Sequence, residues 1–156
     1  MNLMELKKSL SSKTLNNLYI FTGEETAILK IYLNKLSNIF SGKTIHAESL
    51  SSIVNKLKSN SLLDTTNSMY VIRDDKSLLT ADKIWASLKN GTYQRQNILV
   101  FVYTSIDKRG KFYKEFSDNI VFFEHLSTDV LLKYVAKEVQ LSIDRSTQLI
   151  DICQHN

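Results

Sequence analysis

The chain has no proline, a single cysteine and no long apolar segment. Cys153 has no second cysteine to pair with, which excludes an intramolecular disulfide and is typical of a reducing compartment. No apolar run approaches the roughly 20 residues that a membrane-spanning helix needs, and the chain does not open with a secretory signal pattern. We therefore expect a cytoplasmic protein without a membrane partner.

Several catalytic patterns are also missing. No GxSxG, HExxH or CxxC sequence occurs, so the common nucleophile, zinc-protease and redox motifs are excluded. The three histidines, His46, His125 and His155, are far apart and have no ligand spacing with Cys153. We expect no catalytic residues, no metal and no cofactor, and enzymatic activity is disfavoured.

The residues present are enough for one folded domain. The 156 residues are 43% hydrophobic, which supports a real core. The net charge of +4 permits an acidic partner or nucleic acid. However, basic and acidic residues are interspersed, and the chain lacks the basic stripe that indicates nucleic-acid binding.

Strand and helix patterns alternate, which predicts an α/β fold with a five-stranded, mainly parallel sheet flanked by helices. Residues 97–103 are apolar on both faces, as expected of a central strand, whereas the polar run 43–47 is expected near an edge. Trp85 shares a helix with Ile84 and Leu88 and is expected in the core. The predicted strands are 18–22, 43–47, 69–73, 97–103 and 120–123, and the predicted helices are 2–10, 24–40, 49–58, 78–89, 110–116, 128–139 and 144–153.

The turn after the first strand reads Gly23-Glu24-Glu25. Nucleotide-binding α/β proteins place a phosphate-binding loop at this strand–turn–helix position. Here the GxxxxGK[ST] pattern is absent, and two carboxylates stand where amides and a lysine are expected. They suit a positive helix N-terminus but repel a triphosphate. The sequence therefore predicts a degenerate phosphate loop and a structural or recruiting role.

The third strand ends in Arg73-Asp74-Asp75. This resembles the acidic strand end that holds Mg²⁺ in phosphoryl-transfer proteins, but such a site also needs a phosphate cradle. A structural turn beside the next helix N-terminus is favoured. A magnesium-dependent nucleotidase of degenerate P-loop type and a nucleic-acid-binding α/β module remain as alternatives.

Two further motifs each allow two interpretations. Ser61-Leu62-Leu63 lies between polar stretches, so its leucines either anchor a loop to the core or form an exposed plug for a partner's pocket. Asp107-Lys108-Arg109 follows the fourth strand, at the carboxyl ends of the strands, where such folds place their binding sites. It is either a charged turn that caps the next helix or a possible partner contact.

The order of the motifs is more specific than any one of them. After a leucine-spaced opening helix come 18–25, 61–63, 69–73, 99–103, 106–109 and 121–126. This succession resembles the N-terminal region of the delta subunit of the bacterial DNA polymerase III clamp loader. The resemblance spans almost the whole chain.

The resemblance implies an AAA+-like domain that has no functional P-loop and does not bind ATP. In that family the domain binds the sliding clamp (the beta subunit) and helps to open its interface during DNA replication, as a component of the polymerase III holoenzyme. A small apolar plug before the third strand enters a pocket on the clamp. The matching positions are Leu62 and Leu63, next to Ser61. A bulky aromatic is common at the second plug position, and Leu63 departs from that pattern.

The resemblance also implies a domain organisation. Residues 1–141 are expected to form the clamp-binding domain, and residues 142–156 to begin a second, small helical lid-type domain that is incomplete here. Family members continue into a helical collar that joins the other clamp-loader subunits, and this C-terminal region is absent from the chain. An excised fragment and a naturally short homologue are both open interpretations. Contact with DNA is expected to be indirect.

Overall fold

The computed structural model describes residues 1–59, 67–93, 97–124, 132–133, 136, 140 and 142–154. The chain divides into two compact units, Met1–Phe123 and Glu124–Asn156. The predicted boundary between residues 141 and 142 falls inside the second unit and remains a prediction. Among the described residues, no helix is both long and apolar enough to cross a membrane.

The first unit contains a single five-stranded sheet in the order β2-β3-β4-β1-β5, and every neighbouring pair is parallel. This confirms the predicted fold class. β4 is buried along its whole length, whereas β2 is a partly exposed edge strand, as its polar sequence predicts. The strands are β1 (Leu18–Thr22), β2 (Lys43–Ala47), β3 (Ser68–Arg73), β4 (Ile98–Tyr103) and β5 (Ile120–Phe122).

The helices begin and end close to the predicted positions. Helix α1 opens with a capping box, in which the Asn2 side chain and the Glu5 side chain each accept the other's backbone N–H. The predicted helix 78–89 is divided, because Ala81 leaves helical geometry between a 3₁₀ turn at Leu78–Thr80 and α4. The helices are α1 (Leu3–Ser11), α2 (Thr26–Ile39), α3 (Leu50–Ser59), α4 (Asp82–Lys89), α5 (Lys111–Phe116) and, in the second unit, α6 (Ile143–Gln154). The predicted helix 128–139 lies largely outside the described residues.

The sheet has a helical layer on each face, because successive side chains of a strand point to opposite sides. Helices α3, α4 and α5 pack on one face, against alternate residues such as Ile72 and Phe101. Helix α2 packs on the other face, where Tyr32 contacts Phe123, whose ring in turn contacts Phe21. Both faces of the central strands are therefore buried.

Trp85 lies in the core, as predicted, with 6% of its surface exposed. Its ring contacts Phe112 and Phe116 of α5 at centroid distances of 5.7 and 6.1 Å. Its indole N–H donates a 2.8 Å hydrogen bond to the Leu78 carbonyl in the 3₁₀ turn. A buried indole normally needs such an acceptor, and the bond ties the two halves of the divided helix together.

Candidate functional site

A cleft lies at the carboxyl ends of the strands, at the point in the sheet where the strand order reverses. The connection after β1 runs through α2 on one face to the edge strand β2, whereas α3, α4 and α5 cover the other face. In open α/β sheets, ligands bind at the carboxyl ends of the strands at such a point. The cleft has a volume of about 200 Å³ and is lined by Gly23, Thr26, Leu29, Lys30, Arg73, Asp74, Val102, Tyr103 and Thr104.

The turn at Gly23-Glu24-Glu25 packs directly against the end of β5. Gly23 has a φ of +138°, and a Cβ at this position would overlap the Phe123 carbonyl oxygen. The Glu25 N–H donates a 3.1 Å hydrogen bond to that same carbonyl, and the Thr26 N–H donates a 2.8 Å bond to the Glu24 carbonyl. These two amides are therefore bonded to carbonyl groups of the chain itself. In a phosphate-binding loop, the amides at the helix start point at the ligand.

Helix α2 begins at Thr26, two residues later than predicted, so Glu24 and Glu25 precede its first turn. Its first turn contains no acidic residue, and no side chain caps it. The expected position of both carboxylates in the first turn of this helix is therefore wrong, and Glu25 is instead its N-cap residue. The turn closes on Phe123 and shifts the helix start beyond both glutamates.

Asp75 has a structural role at the end of β3. The residue is 6% exposed, and its Oδ2 accepts a 2.8 Å hydrogen bond from the N–H of Leu50, the first residue of α3. Its Oδ1 accepts a 2.5 Å bond from the Ser77 hydroxyl. A carboxylate at a helix N-terminus satisfies an orphan amide and interacts favourably with the helix dipole. This geometry fits the structural turn favoured from sequence.

Asp74 joins the ends of β3 and β4. It has a φ of +51°, its N–H donates to the Val102 carbonyl at 2.9 Å, and its carboxylate accepts the Thr104 N–H at 3.4 Å. Next to it, the Tyr103 hydroxyl donates a 3.0 Å bond to the Asp75 carbonyl. Burial, followed by the charges of Asp75 and Asp74, raises the pKa of Tyr103. The phenol therefore stays protonated and acts as a donor at neutral pH.

Asp107-Lys108-Arg109 forms a tight turn before α5. The Asp107 Oδ1 accepts the Arg109 N–H at 2.9 Å, and its carbonyl accepts the N–H of Gly110, the N-cap of α5, at 3.0 Å. The Lys108 Nζ lies 4.4 Å from the ring centroid of Phe122, within cation–π distance. This is the geometry of the charged turn, and the exposed Arg109 side chain leaves the partner-contact hypothesis as a prediction.

Ser61, Leu62 and Leu63 lie outside the described residues, but the positions that flank them are well defined. Helix α3 ends at Ser59. On the other side, the Asn67 carbonyl accepts a 3.1 Å hydrogen bond from the Lys43 N–H, and the Ser68 N–H donates a 3.0 Å hydrogen bond to the Oδ1 of Asn97. Asn97 is 1% exposed. The segment that contains the two leucines is thus attached on both sides to the sheet and its α3 layer.

A larger hollow of about 430 Å³ lies at the amino ends of β1 and β5, and Leu18, Lys89 and Asn119 are among its lining residues. Two of its polar side chains bond within the protein: Asn119 Nδ2 donates a 3.3 Å hydrogen bond to the Leu18 carbonyl, and Lys89 pairs with Glu115 at 2.9 Å.

Of the three histidines, His46 is exposed on β2, whereas His125 and His155 lie outside the described residues. Within the described part of the chain, no group of three or more His, Cys, Asp or Glu side chains could hold a metal ion. The sequence pattern did not predict that Lys30 and Arg73 line the same cleft. The spacing of Thr26 and Lys30, one helical turn apart just after the loop, was the available signal.

Comparison with known proteins supports the fold. No protein-family model matches the chain, and no curated protein matches it by sequence. Among solved structures, the chain is similar to the Bacillus subtilis DNA clamp loader delta protein (YqeN), with a TM-score of 0.68 and 13% identity. The match covers 94% of this chain and 51% of that one, so the chain spans about half of its structural neighbour. The resemblance predicted from the order of motifs is thereby confirmed for the fold.

Proposed function

We propose that the chain is a clamp-binding module of a DNA clamp loader, equivalent to the N-terminal half of a delta subunit. It docks on a sliding clamp and helps to open one interface of the ring, without intrinsic enzymatic activity and within the cytoplasm. The observation that carries the proposal is the likeness of its fold, over 94% of its length, to a clamp loader delta protein. The order of sequence motifs led to the same family independently.

The proposed contact is the segment that contains Leu62 and Leu63. The segment is preceded by α3 and followed by Asn67 and Ser68, which are hydrogen-bonded to Lys43 and Asn97 respectively. Anchored flanks reduce the conformational entropy that a binding segment loses on docking, and therefore favour affinity. Leucine side chains on a segment between two such flanks would suit a hydrophobic pocket on a partner.

Nucleotide is not required for this function. The Glu25 and Thr26 amides already bond to carbonyl groups of the chain, and the turn has neither a lysine nor several glycines for a phosphate nest. Assembly with other clamp-loader subunits would use a region beyond the half of the delta protein to which this chain corresponds.

The direct test is a calorimetric titration of the chain with the sliding clamp from the same organism. We expect saturable one-to-one binding that is unchanged by ATP. Titrations with DNA alone and with ATP and Mg²⁺ test the alternative functions. A nucleic-acid-binding module would bind DNA with a steep dependence on salt, because phosphate contacts release counterions. Absence of clamp binding, with either alternative positive, would refute the proposal.

A further inference from the structure

Two hydrogen bonds converge on Asn67 and Ser68, the residues that join the segment of the proposed clamp contact to β3. The Asn67 carbonyl accepts a 3.1 Å bond from the N–H of Lys43, the first residue of β2. The Ser68 N–H donates a 3.0 Å bond to the Oδ1 of Asn97, directly before β4. Both acceptor and donor at Ser68 are buried, since Ser68 is 7% exposed and Asn97 is 1% exposed. The junction is therefore held from β2 on one side and from β4 on the other.

The Asn97 side chain takes the place of a backbone acceptor at this junction. The β3–β4 ladder begins with the pair of Met69 and Ile98, so the Ser68 N–H lies just before its first pair. Asn97 Nδ2 is a buried donor that has no partner among the described residues. Such a donor costs stability and offsets what the bond to Ser68 contributes. The net effect of Asn97 is therefore less to stabilise the fold than to hold Ser68 in one position.

Gly42 allows the close approach on the β2 side. A Cβ at this position would lie 2.1 Å from the Asn67 carbonyl oxygen and 2.6 Å from the Phe40 ring. Gly42 does not have a positive φ, so the requirement for glycine comes from space alone. Any larger residue would displace the Asn67 carbonyl and disturb the bond that it accepts from Lys43.

We propose that Gly42 and Asn97 are positioning residues for the proposed clamp contact. They fix the backbone at Asn67 and Ser68, and thereby one end of the segment that carries the contact leucines. A binding segment whose end is already fixed loses less conformational entropy on docking, and therefore binds more tightly. This inference rests on the proposed function and assigns determinants of clamp affinity outside the contact segment itself.

The first test is Asn97→Ala, measured by calorimetric titration with the sliding clamp and by thermal melting. We expect the Kd to rise about fivefold, because the Ser68 N–H loses its acceptor, and the melting temperature to fall only slightly. Ile120→Val is the matched control. Ile120 is 1% exposed in β5, at the edge of the sheet opposite β2. Loss of one core methylene lowers the melting temperature to a similar extent, but should leave the clamp Kd unchanged.

The second test compares two glycines with the same steric restriction at opposite ends of the sheet. Gly42→Ala places a Cβ 2.1 Å from the Asn67 carbonyl oxygen, and Gly23→Ala places one 2.1 Å from that of Phe123. Gly42→Ala should raise the clamp Kd about tenfold or more. Gly23→Ala should lower the melting temperature further, because its φ is +138°, and yet leave the Kd within about twofold at a temperature where it is folded.

Amide hydrogen exchange of the free chain adds a measurement that does not involve the clamp. Exchange at Ser68 should become faster in Asn97→Ala and stay slow in Ile120→Val; unchanged exchange in Asn97→Ala would overturn the inference. It is also overturned if both junction variants bind the clamp as tightly as the unmodified chain, or if the controls lose affinity equally, since affinity would then follow stability. An unmodified chain that does not bind the clamp refutes the proposed function, and the positioning role with it.

Discussion

At each end of the parallel sheet, a buried polar side chain accepts a backbone N–H, but the two ends differ in the segments that these bonds hold. At the carboxyl end, the carboxylate of Asp75 accepts a backbone N–H from α3, and Gly23 lets the first turn close on Phe123. At the amino end, the amide of Asn97 accepts the backbone N–H of Ser68. The bonds at the carboxyl end thus hold a helix start and a turn of the domain itself. The bond at the amino end of β3 holds the residue that follows the segment proposed to contact a partner.

This difference concerns what the polar groups at each end of the sheet are bonded to. Two loop amides are bonded within the domain, and one acid of the third-strand turn caps a helix. What remains at that end is a small cleft whose lining includes Lys30, Arg73 and Asp74. The proposed partner contact belongs to the segment between α3 and β3. Four variants, each with a matched control, test this contrast.

The largest effect is expected at Gly23. Gly23→Ala places a Cβ against the backbone carbonyl of Phe123 at a φ of +138°, so we expect a loss of about 3 kcal/mol or more in the free energy of unfolding. Urea denaturation measures it. Gly91→Ala is the matched control, because Gly91 also has a positive φ but open space around the missing Cβ; it should cost only about 1 kcal/mol. Equal losses would show that the contact with Phe123 has no special role.

The next largest effect is expected at Asp75. Asp75→Ala leaves the buried Leu50 N–H without its acceptor, so the free energy of unfolding should fall by about 2–3 kcal/mol. Asp82→Ala removes an exposed acid from the first turn of α4 and should cost about 0.3–1 kcal/mol. Thermal melting of both variants decides the matter. If Asp75→Ala gained stability, Asp75 would have to be a functional carboxylate rather than a cap.

The effect on partner binding is expected at Leu62 and Leu63. The double variant Leu62→Ala and Leu63→Ala should lose about 2 kcal/mol or more of clamp-binding free energy, which is close to a thirtyfold increase in Kd. The melting temperature should change little. Met4→Ala is the control, since Met4 is 73% exposed on α1 and its loss should not alter clamp affinity. Unchanged affinity in the double variant would reject the plug, and a collapsed melting temperature would place both leucines in the core.

The smallest effect is expected at Asn97. Asn97→Ala removes the acceptor of the Ser68 N–H, but it also removes Asn97 Nδ2, a buried donor that has no partner among the described residues. The two changes oppose each other, so we expect a loss of only about 1 kcal/mol. The exposed Asn55→Ala in α3 should stay within about 0.5 kcal/mol of the parent. A loss as large as that of Asp75→Ala would mean that the amino end is held as firmly as the carboxyl end.

The candidate site could be predicted only in part. Gly23 was identified from the strand–turn–helix pattern, and the third-strand turn from its acids. Neither pattern contains the position of Phe123 or of Leu50, because the Leu50 N–H bonds to a side chain 25 residues away. Lys30 was not noticed because exposed lysines are common on helix surfaces, and only the sheet order brings it to the same cleft as Arg73.

The sequence by itself determined the strands, most helices and the parallel α/β class. The physical reason is local: strands buried on both faces read as continuous apolar runs, and helices covering them repeat their apolar residues every three to four positions. The tertiary structure decided that Gly23 must be glycine, that Asp75 caps a helix and that Arg73 and Lys30 share a cleft. Each of these depends on which strands become neighbours, and periodicity along the chain contains no record of that order.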